Sequence, residues 1–156
     1  MTSSPDFWEA IALDARTESP LWGEALLPEE QREQLPVFSQ LCEPRFALGL
    51  ETIYEGYLVH YGRPRLFAPP DGDTALLLGD YLYAQGLVRV AAEDDAGAVG
   101  DLAELISLVS RLRAEGTGDD GPTWAATASR LGCRSGAHGG AEAVEKALTA
   151  HRLRVG

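Results

Sequence analysis

A chain of 156 residues with 45% apolar and 24% charged side chains has the size and composition of one ordinary globular domain, able to bury about two thirds of the surface its unfolded chain exposes. Its formal charge of −11, from 24 acidic against 13 basic residues, makes it an acidic protein whose field repels phosphate backbones and anionic lipid, so nucleic acid is excluded as a general partner. Lys146 is the single lysine, which excludes lysine chemistry from everything that precedes it.

Helical periodicity dominates, and no run alternates as a strand with hairpin turns does, so the expected class is all-α, a single helical bundle. The predicted divisions are 1–36, an N-terminal helix and polar connection; 37–114, the core helices; 115–122, a linker; and 123–156, short helices packing on the core. The first helix starts after the cap signal Ser4-Pro5-Asp6, carries Phe7, Ile11 and Ala15 or Asp14, and stops before Pro20. Leu21 to Leu35 reads as a polar connection in which Pro28-Glu29-Glu30 resembles an acidic helical first turn.

From Val37, the spacing of Leu41, Leu48, Ile53, Tyr57 and Tyr61 predicts a long helix that Pro44 must kink or interrupt and that Gly62 and Pro64 end. Pro69-Pro70-Asp71-Gly72-Asp73 predicts a rigid turn, with Asp73 or Thr74 capping a following helix that is apolar nearly all round. A third long helix is predicted from about Ala98 to Ala114. Val99, Leu102, Leu105, Ile106, Val109 and Leu112 face inward there, opposite a polar strip of Glu104, Ser107 and Arg111. Glu115 to Pro122 reads as a flexible linker, followed by helices near Thr123 to Leu131 and Gly140 to Arg152.

Cys42 and Cys133 belong to no CxxC pair, and with three histidines (His60, His138 and His151) they are poor material for structural zinc. Two reduced, buried thiols are expected, and no metal. The stretch MTSSPDFWEA lacks a positive n-region followed by an apolar core. The most apolar run, Thr74 to Ala92, contains Asp80 and Arg89. Neither a signal peptide nor a membrane span is expected, and the default compartment is the cytoplasm. The loop Gly132 to Gly140 lacks both phosphate-binding glycine patterns and reads as a turn; Cys133 and His138 within it have no orienting third group.

Asp80 is the most conspicuous polar residue. Leu76, Asp80, Tyr83, Leu87 and Val90 follow helical steps, so Asp80 is expected in line with large apolar neighbours, where an unpaired carboxylate costs several kcal/mol. Arg45, Arg63, Arg65 or a tyrosine hydroxyl is the expected partner, unless Asp80 lies at the surface. Gly79 beside it lets a neighbouring helix come close.

The run Glu51-Thr52-Ile53-Tyr54-Glu55, then Gly62-Arg63-Pro64, then Gly79-Asp80-Tyr81-Leu82, resembles the central part of the trans-prenyl diphosphate synthases, where DDxxD is followed by RRGxP and by a helix opening with GDYL. Weaker similarity extends over residues 37 to 150. What the resemblance implies is a short, small-subunit-like member without the family's chemistry. Glu51 and Glu55 stand at the first aspartate-rich motif, but Thr52 replaces its second ligand; His60 and Tyr61 stand where two arginines clamp diphosphate; no DDxxD occurs anywhere, and the family's upstream lysine is absent.

No catalytic residue is therefore assigned. Glu51, Glu55, Arg63 and Asp80 are the candidate ligand-binding residues, with no cofactor. The expected function is a non-catalytic subunit or partner in isoprenoid diphosphate metabolism, a homodimer or a heteromer with a catalytic prenyl synthase, associating through the Leu76 to Val90 helix. In that reading Tyr54, Tyr57, Tyr81, Tyr83 and Phe67 either line a pocket that measures product length or form plain core. The alternatives are a reduced enzyme holding one Mg2+ on Glu51, Glu55 and Asp80, and a pure protein-interaction module on the same fold.

Overall fold

Proline opens helices in this chain as readily as it closes them, because its fixed φ and missing N–H suit a first turn. The computed structural model describes residues 5–116, 119–132 and 140–155. Its helices are α1 (Pro5–Glu18), α2 (Pro20–Ala25), α3 (Pro44–Tyr61), α4 (Gly72–Ala91), α5 (Ala96–Glu115), α6 (Gly121–Gly132) and α7 (Ala141–Val155), with short 3-10 turns at Glu29–Gln31 and Ser39–Leu41. Among the described residues the only β pairing is one isolated bridge between Leu26 and Phe67, and no helix is long and apolar enough to cross a membrane. The architecture is a single all-α domain.

Several boundaries differ from the expected ones for identifiable reasons. Pro20 stops α1 and also begins α2, which was expected as polar connection; the Ser19 hydroxyl accepts from Leu21 N at 3.1 Å to cap it. The helix expected from Val37 is two pieces, because Pro44 sits in the first turn of α3 and leaves Leu41 in a separate 3-10 turn. Asp71, rather than Asp73 or Thr74, caps α4: its extended backbone follows the proline pair and its carboxylate accepts from Thr74 N at 2.8 Å. Asp95 caps α5 in the same way, and Gly116 ends it in the left-handed conformation at φ 65°. Ser4, Cys133, His138 and most of the Gly132–Gly140 loop lie outside the described residues, as do residues 117–118 of the expected linker.

α3 is the axis of the molecule, with every residue from Gly49 to Val59 buried. One side of it joins a cluster built on Phe38, Leu102, Leu105, Val109, Trp124 and Leu131. The other joins Trp8, Ile11, Trp22, Phe67, Leu78 and Leu82. Its closest neighbour is α4, and glycines set the approach. A Cβ on Gly86 would lie 2.8 Å from the Gly49 carbonyl oxygen, one on Gly49 3.0 Å from the Gly86 oxygen, and one on Gly56 2.9 Å from the Gly79 oxygen. Gly49 thus faces Gly86 and Gly56 faces Gly79, with the same seven-residue separation on both antiparallel helices. A Cβ on Gly79 itself would enter the His60 ring.

This contact decides which side of α4 is inside. Leu78, Gly79, Leu82, Gly86 and Val90 are buried, whereas Leu76, Leu77 and Val88 are 57%, 56% and 61% exposed. The helix is apolar on both sides but packed on one.

Candidate functional site

The two glutamates singled out by the sequence are held inside the fold. Residues 62–71 turn back from the end of α3 and drive Arg65 into the interior, where its side chain and those of Glu51 and Glu55 are all 0% exposed. Arg65 Nη1 donates to Glu51 Oε1 at 2.6 Å and Nε to Glu55 Oε1 at 2.9 Å. Glu51 Oε2 accepts from the backbone N–H of Val37 and Ser39, and Glu55 Oε2 from those of Arg65 and Leu66. All four carboxylate oxygens therefore have donors. The guanidinium also lies over the rings of Trp8 at 4.8 Å and Tyr54 at 5.1 Å. Burial would lower the Arg65 pKa, but the two adjacent carboxylates outweigh it and hold the group above its ordinary value. One cation and two anions leave a surplus negative charge, which the four backbone N–H groups solvate in place of water.

Arg63 and Asp80 lie elsewhere. Arg63 donates to Glu33 at 3.3 Å and to the Leu153 carbonyl at 3.0 Å, tying the end of α7 to the loop after α3. Arg154 completes that tie, bonding Glu33 at 2.5 Å and the Arg63 carbonyl at 3.1 Å. Asp80 is a surface residue, 65% exposed, and its partner is His60 at 3.2 Å, which none of the expected arginine or tyrosine partners replaces. Neither Arg63 nor Asp80 is hydrogen-bonded to Glu51 or Glu55, so the four candidates form three separate structures.

A second buried polar cluster has no counterpart in the sequence reading. Asp120, expected in a linker, is 1% exposed and bonds three residues, one each from α3, α5 and α7. Tyr57 donates a very short hydrogen bond to its Oδ2, Arg113 Nε reaches the same oxygen at 3.2 Å, and His151 Nε2 lies 2.8 Å from Oδ1. Arg113 Nη2 donates to the Tyr57 oxygen at 2.6 Å, and Tyr54 OH lies 2.7 Å from His151 Nδ1. An ionised carboxylate only accepts, so the Nε2–H of His151 donates to Asp120, and the Tyr54 hydroxyl is the hydrogen-bond partner of Nδ1. Burial pushes the pKa of Asp120 up, yet the hydrogen bonds from His151 and Tyr57 and the charge of Arg113 bring it below the ordinary carboxylate value. Burial raises both tyrosine hydroxyls and keeps them protonated.

Asp119, Asp120 and His151 also have the donor types of a metal site, with ligand atoms within 4.8 Å of one another. The set is a poor fit to a cation. Both Asp120 oxygens already accept hydrogen bonds, Arg113 lies against one of them, and an Asp119 oxygen accepts from Gly121 N at 3.0 Å.

The aromatic residues considered for a pocket pack against other side chains. Tyr54 and Tyr57 stack at 5.7 Å and meet the Trp124 ring edge-on at 5.0 and 5.1 Å, while Tyr81 stacks on Trp22 at 5.9 Å. Phe67 is 1% exposed. The surface depressions of about 440, 420 and 270 Å³ are lined by other residues, around Asp94, Cys42 and Leu148 respectively. Cys42 is buried, and desolvation together with the charge of Glu51 pushes its thiol up to about 12.

No family model, curated protein or solved structure matches the chain. Fold and polar clusters together define an all-helical protein whose buried charges are directed at one another.

Proposed function

We propose that this chain is a non-catalytic, prenyl-synthase-like helical protein acting in the cytoplasm as a subunit or partner in isoprenoid diphosphate metabolism, either as a homodimer or joined to a catalytic synthase. One observation carries the non-catalytic half: the carboxylates at the position of the first metal-binding motif are fully enclosed and every oxygen has a donor. A magnesium ion needs open oxygens near its substrate phosphates, and Arg65 occupies that position with the opposite consequence for an incoming cation. The family half rests on the spacing of Gly62-Arg63-Pro64 and Gly79-Asp80-Tyr81 and on the helical context of both.

The test has two arms. The isolated chain, incubated with magnesium and a labelled allylic diphosphate, is expected to give no turnover; turnover would overturn the reading. Co-expressed with a DDxxD-bearing prenyl synthase, the chain is expected to co-elute with it on gel filtration.

A pure protein-interaction module on the same scaffold is the second reading. The filled interior favours it, since Tyr54, Tyr57 and Trp124 occupy the middle of the helix cluster where a prenyl chain would need room. Loss of the synthase complex without loss of folding would select it.

A further inference from the structure

We propose that the outward face of α4 is a docking surface for an amphipathic helix whose apolar stripe is bordered by lysine or arginine. The proposal rests on the partner-binding half of the function given above and needs no isoprenoid chemistry.

Asp73, Leu77, Asp80, Ala84 and Val88 follow one another at steps of four, three, four and four, so they form a single line along the helix. Leu76 borders it. This line spans about 22 Å at the rise of an α-helix, roughly the length of a four-turn partner. Leu76, Leu77 and Val88 are each more than half exposed, although the opposite side of the same helix is closed against α3. Three large aliphatic residues on one helix face are a contact surface in search of a cover.

The charges choose the cover. The exposed ionisable residues on α4 and its cap are Asp71, Asp73 and Asp80, all acidic. The one arginine of the helix, Arg89, is turned aside: it bonds Asp14 at 2.6 Å and is 14% exposed. His60, the partner of Asp80, lies inward at 10% exposure and does not cap the surface with positive charge. A two-fold pairing of α4 with a second copy would bring Asp73 and Asp80 of both chains to the same seam, on a molecule already at −11. A basic amphipathic helix meets the aliphatic line with its own and sets its cations against the aspartates, which fixes both partner and register.

The experiment is fluorescence anisotropy of the full chain against a labelled Leu/Lys peptide about four turns long, with a scrambled peptide of identical composition as control. Saturable binding that weakens with salt and is about tenfold weaker for the scrambled peptide is expected. L77E with V88E should remove that preference while leaving the far-ultraviolet dichroism and melting temperature unchanged, because both side chains are exposed. D73K with D80K should transfer it to a Leu/Glu peptide. Equal binding of the scrambled peptide, no binding at all, or a wild-type dimer that L77E with V88E dissociates would each overturn the proposal, the last by making a second copy the cover. A synthase complex that survives L77E with V88E would leave the subunit reading standing and remove this face from it.

Discussion

Arg65 and Glu55 are bonded to each other twice: the guanidinium Nε reaches Oε1 at 2.9 Å, and the backbone N–H of the same arginine reaches Oε2 at 2.9 Å. The arginine therefore fixes its own backbone with the carboxylate that neutralises its side chain, and the loop after α3 cannot leave without exposing two glutamates to an apolar interior. Residues 62–71 are anchored there by charge as well as by Leu66 and Phe67, which are buried in the apolar cluster with Trp8 and Trp22.

Replacing Arg65 by methionine should be among the most damaging single changes in the chain. Glu51 and Glu55 would remain buried without their cation, a situation that costs about 3–5 kcal/mol, or roughly 10 °C in melting temperature for a protein of this size. Urea unfolding measures it. Arg65→Lys should recover only part of the loss, because an ammonium cannot present separate donors to both carboxylates. A loss below about 1 kcal/mol for Arg65→Met would mean that the site is hydrated and that the enclosed-charge account is wrong.

The α3–α4 glycines give a second, sharper contrast. Gly86→Ala puts a methyl group 2.8 Å from the Gly49 carbonyl and against Ile53, so the helices must separate, at about 1–3 kcal/mol for overpacking. Gly100→Ala, in the body of α5 with no atom within 4 Å of the new methyl, should stabilise by about 0.5–1 kcal/mol through helix propensity alone. Thermal melts of the two variants should move in opposite directions; movement in the same direction would show that α3 and α4 are not packed through these positions.

How much of this was legible depends on how far apart the interacting residues are in sequence. Gly62 and Pro64 as the end of α3, and Gly79 as a point of close approach, follow from local rules that act within a turn or two. α2 is hidden because Pro20 has two local meanings, the stop of one helix and the first turn of the next. Helical spacing puts Asp80 inside and makes Arg65 its candidate partner, whereas the side of α4 that is buried is set by the Gly49–Gly86 contact between helices far apart in sequence. The Asp120 cluster was invisible. Its members Tyr54, Tyr57, Arg113 and His151 span most of the chain, and an aspartate between glycines has the composition of a linker whether or not it is buried.

That cluster predicts an acid-sensitive increment of stability. The folded pKa of Asp120 lies below its ordinary value of 3.8, because donors from His151 and Tyr57 and the Arg113 charge overcome burial. A depressed carboxylate contributes in full above the unfolded value and loses that contribution as pH falls through the folded one. The stability gap between wild type and Asp120→Asn, measured by urea titration, should hold constant from near neutrality down to about pH 4 and narrow below it. A gap that stays constant to about pH 2 would show that the charge of Asp120 is not what the cluster stabilises.

Cys42 tests the same interior from its thiol. A group pushed up to about 12 by burial and by Glu51 stays protonated at mildly alkaline pH, and the thiolate is the nucleophile. In a Cys133→Ser background, iodoacetamide at mildly alkaline pH should label Cys42 slowly in the native protein and rapidly in urea, with mass spectrometry reading the ratio. Labelling at the rate of a free thiol would show that the depression beside Cys42 opens onto its sulfur.

The enclosed glutamates make a last prediction about ligands. A ligand present at a hundred times its Kd raises stability by about 2.7 kcal/mol, several degrees of melting temperature in a chain of this length. Millimolar magnesium with inorganic pyrophosphate should produce no such shift, because the oxygens that would bind the metal hold Arg65 and four backbone N–H groups, and displacing them costs more than the ion returns. Chelation by EDTA should be equally without effect. Glu51→Gln supplies the control: it removes one charge from the cluster, and if magnesium were a ligand the variant would lose a shift that the wild type shows. A magnesium-dependent rise in the wild type, absent from Glu51→Gln, would make these carboxylates metal ligands and overturn the enclosed-charge account.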